Sequence, residues 1–119
     1  MRREELYLRD IVEAVDHIGA FIAGIEFSSF EESELIRSAV VQKLAVVGEA
    51  ANRVSDELKA RHPEVPWPKI VAFRNILVHA YFGIDWSEVW LAASKQAPQL
   101  RDQVASILWT EFDRPDDGT

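Results

Sequence analysis

The chain has 119 residues, of which 48% are hydrophobic and 28% charged, with no cysteine and a formal net charge of −7. Length and balance fit a single folded domain with a modest core and exclude a disordered chain. The missing cysteines exclude disulfides, thiolate metal sites and thiol nucleophiles, and the acidic total argues against broad electrostatic wrapping of nucleic acid.

The opening "MRREELYLRD" is charged, with no apolar signal region behind it, and no stretch reaches the ~20 apolar residues a membrane span needs. A soluble, cytoplasmic protein is expected. Leu8, Ile11, Val15, Ile18, Ile22 and Ile25 alternate spacings of three and four, the seam of an amphipathic helix over about 4–25. "FSSFEES" breaks it, with Ser29 and Glu32 at capping-box spacing and Ser33 as another cap. A second seam (Ile36, Val40, Leu44, Val47, Ala51, Val54, Leu58) predicts a helix over roughly 32–61. Its weak point is Gly48, which costs about 1 kcal/mol against alanine in a helix interior. Gly48 opens a small-residue patch, "GEAA", where another helix can approach closely.

"RHPEVPWPKI" ends that helix. Pro68 suits a first helical turn, so a third helix is expected over about 67–81, stopped by "FGID" with Gly83 as its cap. Asp85 with Glu88 opens a short helix at about 86–95, and Pro98 starts a last one carrying Leu100, Val104, Ile107 and Leu108. Residues 1–112 are read as one domain and 113–119 as an acidic, flexible tail. No alternating strand pattern is present. The expected fold is all-α, a bundle of about five helices. Four tryptophans, Trp67, Trp86, Trp90 and Trp109, are expected as core and junction anchors, whereas an exposed pair of them would point to an interface.

One stretch, "FRNILVHAYFGID" at 73–85, concentrates chemistry. At ~100° per residue, Ile70, Phe73, Ile76, Leu77 and Ala80 form an apolar stripe expected to face the core. Arg74, Asn75, His79 and Tyr81 occupy an arc of ~160° on the other side. Polar residues on a wet face explain that arc simply, and a compact site explains it too. Val78 inside the arc and Val71 near it point to a partly covered face, as the same helix of a second subunit would provide. Residues 53–79 also hold five cations (Arg53, Lys59, Arg61, Lys69, Arg74) against Asp56, Glu57 and Glu64, a local +2 that leaves −9 elsewhere. That is chance, or a small basic face able to admit one phosphate chain or to attract a basic partner.

"RNILVHAY" is similar to the Arg-x4-His-x-Tyr motif of HepT-like toxins of the HEPN ribonuclease superfamily, with Asn75 fitting the polar position after the arginine. "AVVQKLAVVGEAANRVS" (39–55), "PEVPW" (63–67) and "YFGIDWSEVW" (81–90) resemble that family in order and spacing, so the likeness runs from about residue 6 to 108. The resemblance implies a helical bundle that forms a homodimer through its motif-bearing face. It implies a metal-independent endoribonuclease toxin acting on RNA, with no cofactor. Its partner would be a nucleotidyltransferase antitoxin of a type VII-like pair, which neutralises the toxin by transferring AMP to Tyr81.

These residue types suit the implied chemistry. A histidine exchanges protons near neutral pH, and an arginine fork holds phosphate oxygens. Arg74 and His79 are thus the candidate catalytic pair, Asn75 their support and Tyr81 the modified switch. Five residues place Arg74 and His79 ~140° apart around a helix, so a dimeric site is expected to complete the geometry. His17 and His62 lack partners at metal-ligand spacing and read as structural. Glu49 reads either as a carboxylate pairing with Arg74 across helices or as a surface charge. No phosphate loop or serine nucleophile motif is present. The rival reading is a non-catalytic helical scaffold for a nucleotidyltransferase, which the −7 charge favours and the intact motif disfavours.

Overall fold

The seam spacings read above become helices wherever one apolar side can be buried. The computed structural model describes residues 3–115. Residues 1–2, and residues 116–119 of the tail expected at 113–119, lie outside the described residues. Helix α1 (Arg3–Ile22) buries Leu8, Ile11, Val15 and Ile18. It stops at Gly24, whose φ of 75° is the left-handed conformation that glycine adopts without steric cost.

A short helix, α2 (Phe27–Glu32), then occupies the stretch expected as a break. Phe30 is fully buried and packs on Trp86 and Trp90, with ring centroids 6.2 and 5.2 Å away. Burying a side chain of this size contributes about 1.5–3 kcal/mol, enough to organise one turn of chain around it. Ser33, not Ser29, caps helix α3 (Glu34–Arg53), its hydroxyl accepting from the Ile36 amide at 3.1 Å.

The helix expected over 32–61 divides. α3 ends at Arg53, and α4 (Asp56–Arg61) starts anew behind Ser55, whose hydroxyl accepts from the Leu58 amide at 3.1 Å. The break is tolerated because the Ser55 amide finds Glu4 Oε1 at 2.8 Å, while Val54 and Leu58 stay buried on either side of it.

Helix α5 (Trp67–His79) ends two residues short of the expected 81, and Tyr81–Gly83 form a separate 3-10 turn. Gly83 does not take a left-handed cap conformation. The break expected between 95 and 98 is absent. α6 (Trp86–Leu91) continues through a π-helical turn (Ala92–Gln96) into α7 (Ala97–Leu108). Pro98 removes one backbone donor and crowds the turn before it. The wider π turn, closed by the Ala97 amide on the Ala92 carbonyl, carries the helix through. A second π turn, Trp109–Asp113, ends it.

The result is an all-α bundle of seven α-helical segments among the described residues. α3 lies between α1 and α5, and α7 packs on α1. One core cluster joins α1, α3 and α7 around Leu8, Ile11, Val47 and Val104; a second joins α2, α3, α5 and α6 around Phe30, Val41, Leu77 and Val89. Among the described residues, no helix is long and apolar enough to cross a membrane.

His62 clasps the ends of the bundle. Its Nε2 pairs with Glu111, its Nδ1 lies 3.4 Å from Glu64, and its carbonyl accepts from the Trp67 indole at 3.0 Å. Arg61 grips Glu111 from the other side at 2.6 Å. His17 stacks on Phe21 at 6.4 Å, with a buried Nδ1 that has no hydrogen-bond partner.

Candidate active site

Helix α5 positions the motif. Pro68 sits in its first turn, and Trp67, 4% exposed, pins its start to the core. The side turned inward is Trp67, Ile70, Arg74 and Leu77, at spacings of three and four, with Phe73 of the expected stripe packed against the second core cluster beside them. This differs from the expected stripe: Ile76 is 52% exposed and Ala80 is exposed, while Arg74 is only partly accessible. The cause is Gly48 on α3. A Cβ there would collide with Cβ of Arg74 and lie 2.6 Å from its Cγ. The arginine stem therefore passes through the space a side chain on α3 would fill, and α5 turns to let it do so.

The Arg74 fork is held from two directions. Nη2 lies 3.1 Å from Glu49 Oε2, and Nη1 donates to Asn75 Oδ1 at 2.9 Å. The other oxygen of Glu49 takes Arg53 Nε at 3.0 Å. Glu49 is thus the cross-helix partner, and two guanidiniums share one carboxylate, which leaves the group with a net positive charge. Nε of Arg74 is buried without a hydrogen-bond partner. With Asn75 Oδ1 engaged, its amide N–H groups remain available as donors.

His79 is the last residue of α5 and is exposed. The structure brings together Arg74, Asn75 and Glu49; within one chain it does not hydrogen-bond His79 to any of them. Tyr81 stands apart on its 3-10 turn, 39% exposed, with its ring edge-on to Phe82 (5.8 Å) and Trp86 (6.0 Å). It is therefore set by Trp86 rather than by the helical register. Asp85 fixes the next element by capping α6, and its hydrogen bonds from the Ser87 hydroxyl and amide hold its carboxyl below the ordinary range.

Apolar side chains flank the polar group: Ile76, Val78 at 47% exposed, and Phe82, which is fully exposed. Arg37, which motif reading passes over, reaches the same region, its guanidinium 4.8 Å over the Trp86 ring. Its signal in the sequence is positional, since it precedes Gly48 by eleven residues, three turns along the same stripe of α3. Among the described residues, no group of three or more His, Cys, Asp or Glu side chains is placed to hold a metal ion.

Comparison with known proteins agrees with the motif. Residues 11–107 match the family described as ribonuclease HepT-like, a span that contains the whole 74–81 segment. The chain is 35% identical over 106 residues to a Thermococcus cleftensis protein named "Probable ribonuclease HepT", covering 89% of this chain and 96% of that one. It is 33% identical over 106 residues to a "Putative RNase" of Methanocaldococcus jannaschii, covering 89% and 97%. To another so named, from Caldanaerobacter subterraneus, it is 32% identical over 111 residues, covering 93% and 99%. No solved structure gives a significant match.

Proposed function

The chain belongs to the HepT-like ribonuclease family, and from that premise we propose that it is a metal-independent endoribonuclease toxin whose catalytic pair is Arg74 and His79. The observation that carries this is the Arg74 fork, held by Glu49 of α3 and by Asn75 beside it on α5, with an exposed imidazole at the end of α5.

The reaction uses the RNA's own 2′-hydroxyl as nucleophile. His79 takes the hydroxyl proton, and the 2′-oxygen attacks the adjacent phosphorus. The bond to the 5′-oxygen breaks as that oxygen takes the proton back from the imidazolium, directly or through a water, leaving a 2′,3′-cyclic phosphate, a 5′-hydroxyl and a neutral His79. Arg74 and the Asn75 amide stabilise charge on the non-bridging oxygens. The spread of Arg74 and His79 on α5 is resolved in a homodimer with facing motifs, for which the apolar Ile76, Val78 and Phe82 supply the contact. Regulation follows from Tyr81, exposed on its turn, which accepts AMP from a nucleotidyltransferase antitoxin in a type VII-like pair. The anion added at the end of the motif then excludes RNA by charge and bulk.

The −7 net charge favours a second reading, a non-catalytic helical partner of a nucleotidyltransferase. One experiment separates the two: RNA cleavage in EDTA by wild type and by His79→Ala, with Tyr81 shown unmodified by intact mass. Cleavage by wild type that disappears in the variant is expected. An unmodified, dimeric wild type that leaves several RNA classes intact overturns the ribonuclease in favour of the scaffold.

A further inference from the structure

The seam between α3 and α5 has an arginine at each end. On α3 it runs Gly48, Leu44, Val41, Arg37, all on one stripe, with Leu77 of α5 in the same apolar cluster as Leu44 and Val41. Gly48 meets Arg74; Arg37 lies three turns away, ~16 Å along the helix axis. The two arginines share an uncommon feature. Among the described residues, three buried side-chain nitrogen or oxygen atoms lack a hydrogen-bond partner, and two of them are Nε of Arg74 and Nε of Arg37.

They differ in charge compensation. Arg9, Arg53, Arg61, Arg74 and Arg101 are each paired with a carboxylate. Arg37 is paired with none among the described residues, although the chain holds 20 acidic side chains. What holds Arg37 is Trp86, itself packed on Phe30, with the guanidinium 4.8 Å over the indole. A cation–π contact holds a guanidinium through its charge and does not use up its N–H donors as a carboxylate partner would, which leaves terminal donors for a phosphate. Tyr81 touches the same indole from another side, so Arg37 and the motif tyrosine share one support.

We propose that Arg37, braced by Trp86, is a second RNA-phosphate contact, holding the strand beyond Tyr81 while Arg74 engages the phosphate that is cut. This rests on the ribonuclease reading for its substrate but not for its geometry. Arg37 positions RNA and takes no part in bond breaking. Two spaced phosphate contacts along the α3–α5 seam give an acidic protein a local track for one strand. They also give the AMP group on Tyr81 a place to interrupt it.

The test is binding of a labelled single-stranded oligoribonucleotide to the dimeric protein in a His79→Ala background, over a range of salt. Arg37→Met keeps the apolar stem and removes the charge. It is expected to weaken binding about tenfold, the loss of one charge-assisted contact. It should also flatten the plot of log affinity against log salt by about 0.7, one phosphate on a single strand. With His79 intact, KM rises by a similar factor and kcat stays within about twofold, since uniform binding is lost. Arg37→Lys keeps the charge and is expected to keep the salt slope; it decides the matter if the methionine variant does not fold. A folded Arg37→Met with parental affinity and slope, or a lysine variant whose slope falls like that expected of methionine, overturns the proposal. If wild type leaves RNA uncut yet binds it with the Arg37-dependent slope, only the cleavage reading fails. If no form binds RNA, both fail.

Discussion

The missing Cβ of Gly48 and the stem of Arg74 occupy the same space: a methyl group at 48 would lie 2.6 Å from Cγ of Arg74. This contact sets the rotation of α5 and hence the direction of the guanidinium. Gly48→Ala gains about 1 kcal/mol of helix propensity. It incurs overpacking of about 1–3 kcal/mol against a side-chain stem rooted in the facing helix, so the sum is expected to destabilise. Urea unfolding of the variant should show a lower midpoint together with a loss of RNA cleavage. A variant as stable and as active as wild type would mean that α5 moves aside at no cost.

Glu49 tests the same fork from its other end. The Glu49 and Arg74 side chains are 40% and 29% exposed, so their pair contributes under about 1 kcal/mol to stability. Its role in orienting the fork is separate from that small sum. Glu49→Ala is expected to unfold within about 1 kcal/mol of wild type while cleaving RNA roughly 10- to 100-fold more slowly, the scale seen when a supporting partner of a functional side chain is removed. Unchanged kinetics would show that Asn75 alone aims the fork. Restoring a carboxylate with Glu49→Asp should return part of the rate, which a purely packing role for residue 49 would not give.

Both contacts mark what the sequence carries well and what it carries poorly. "GEAA" was legible as a close-approach patch because a glycine in a long helix calls for a reason, and Glu49 was one of two open readings for the same position. The α5 register was not legible. A helical wheel treats Arg74 as polar and turns it to solvent, whereas its stem is apolar and finds room only over Gly48. A helical wheel puts Tyr81 with Arg74, but the helix stops at His79 and Trp86 sets the ring instead. The break at Ser55 depends on Glu4, 51 residues away, which local spacing cannot reveal. The run through Pro98 depends on a π turn, which no simple period encodes. Arg37 carries no motif signal because its partner, Trp86, lies on another helix.

Phe82 is fully exposed next to Tyr81, and Ile76 and Val78 are about half exposed on α5. A group of this kind beside the proposed catalytic motif is expected to be covered by a second copy. Phe82→Asp places a charge there outside the monomer core; it removes the Phe82 ring from Tyr81 but leaves the Trp86 contact that holds the tyrosine. Light scattering after gel filtration should show wild type as a dimer and the variant shifted to monomer, with cleavage falling in step and the helical circular-dichroism signal unchanged. A variant that stays dimeric would move the interface elsewhere on the bundle.

The last prediction concerns acid stability. Arg61 hydrogen-bonds Glu111, and His62 does so from the other side, so the Glu111 carboxyl is held below its ordinary value of 4.5. A depressed carboxylate contributes stability that is fully present above the unfolded-state value and is lost as pH falls through the folded-state value. Glu111→Gln should therefore be less stable than wild type at pH 7 by an amount that stays constant down to about pH 5. Below that, the gap should narrow as wild-type Glu111 is protonated and its own hold on Arg61 weakens. Urea midpoints of both proteins across that range give the comparison directly. The separation should close on the acid side only; a gap that does not narrow below about pH 5 would mean that the hold of Glu111 on Arg61 does not depend on its charge.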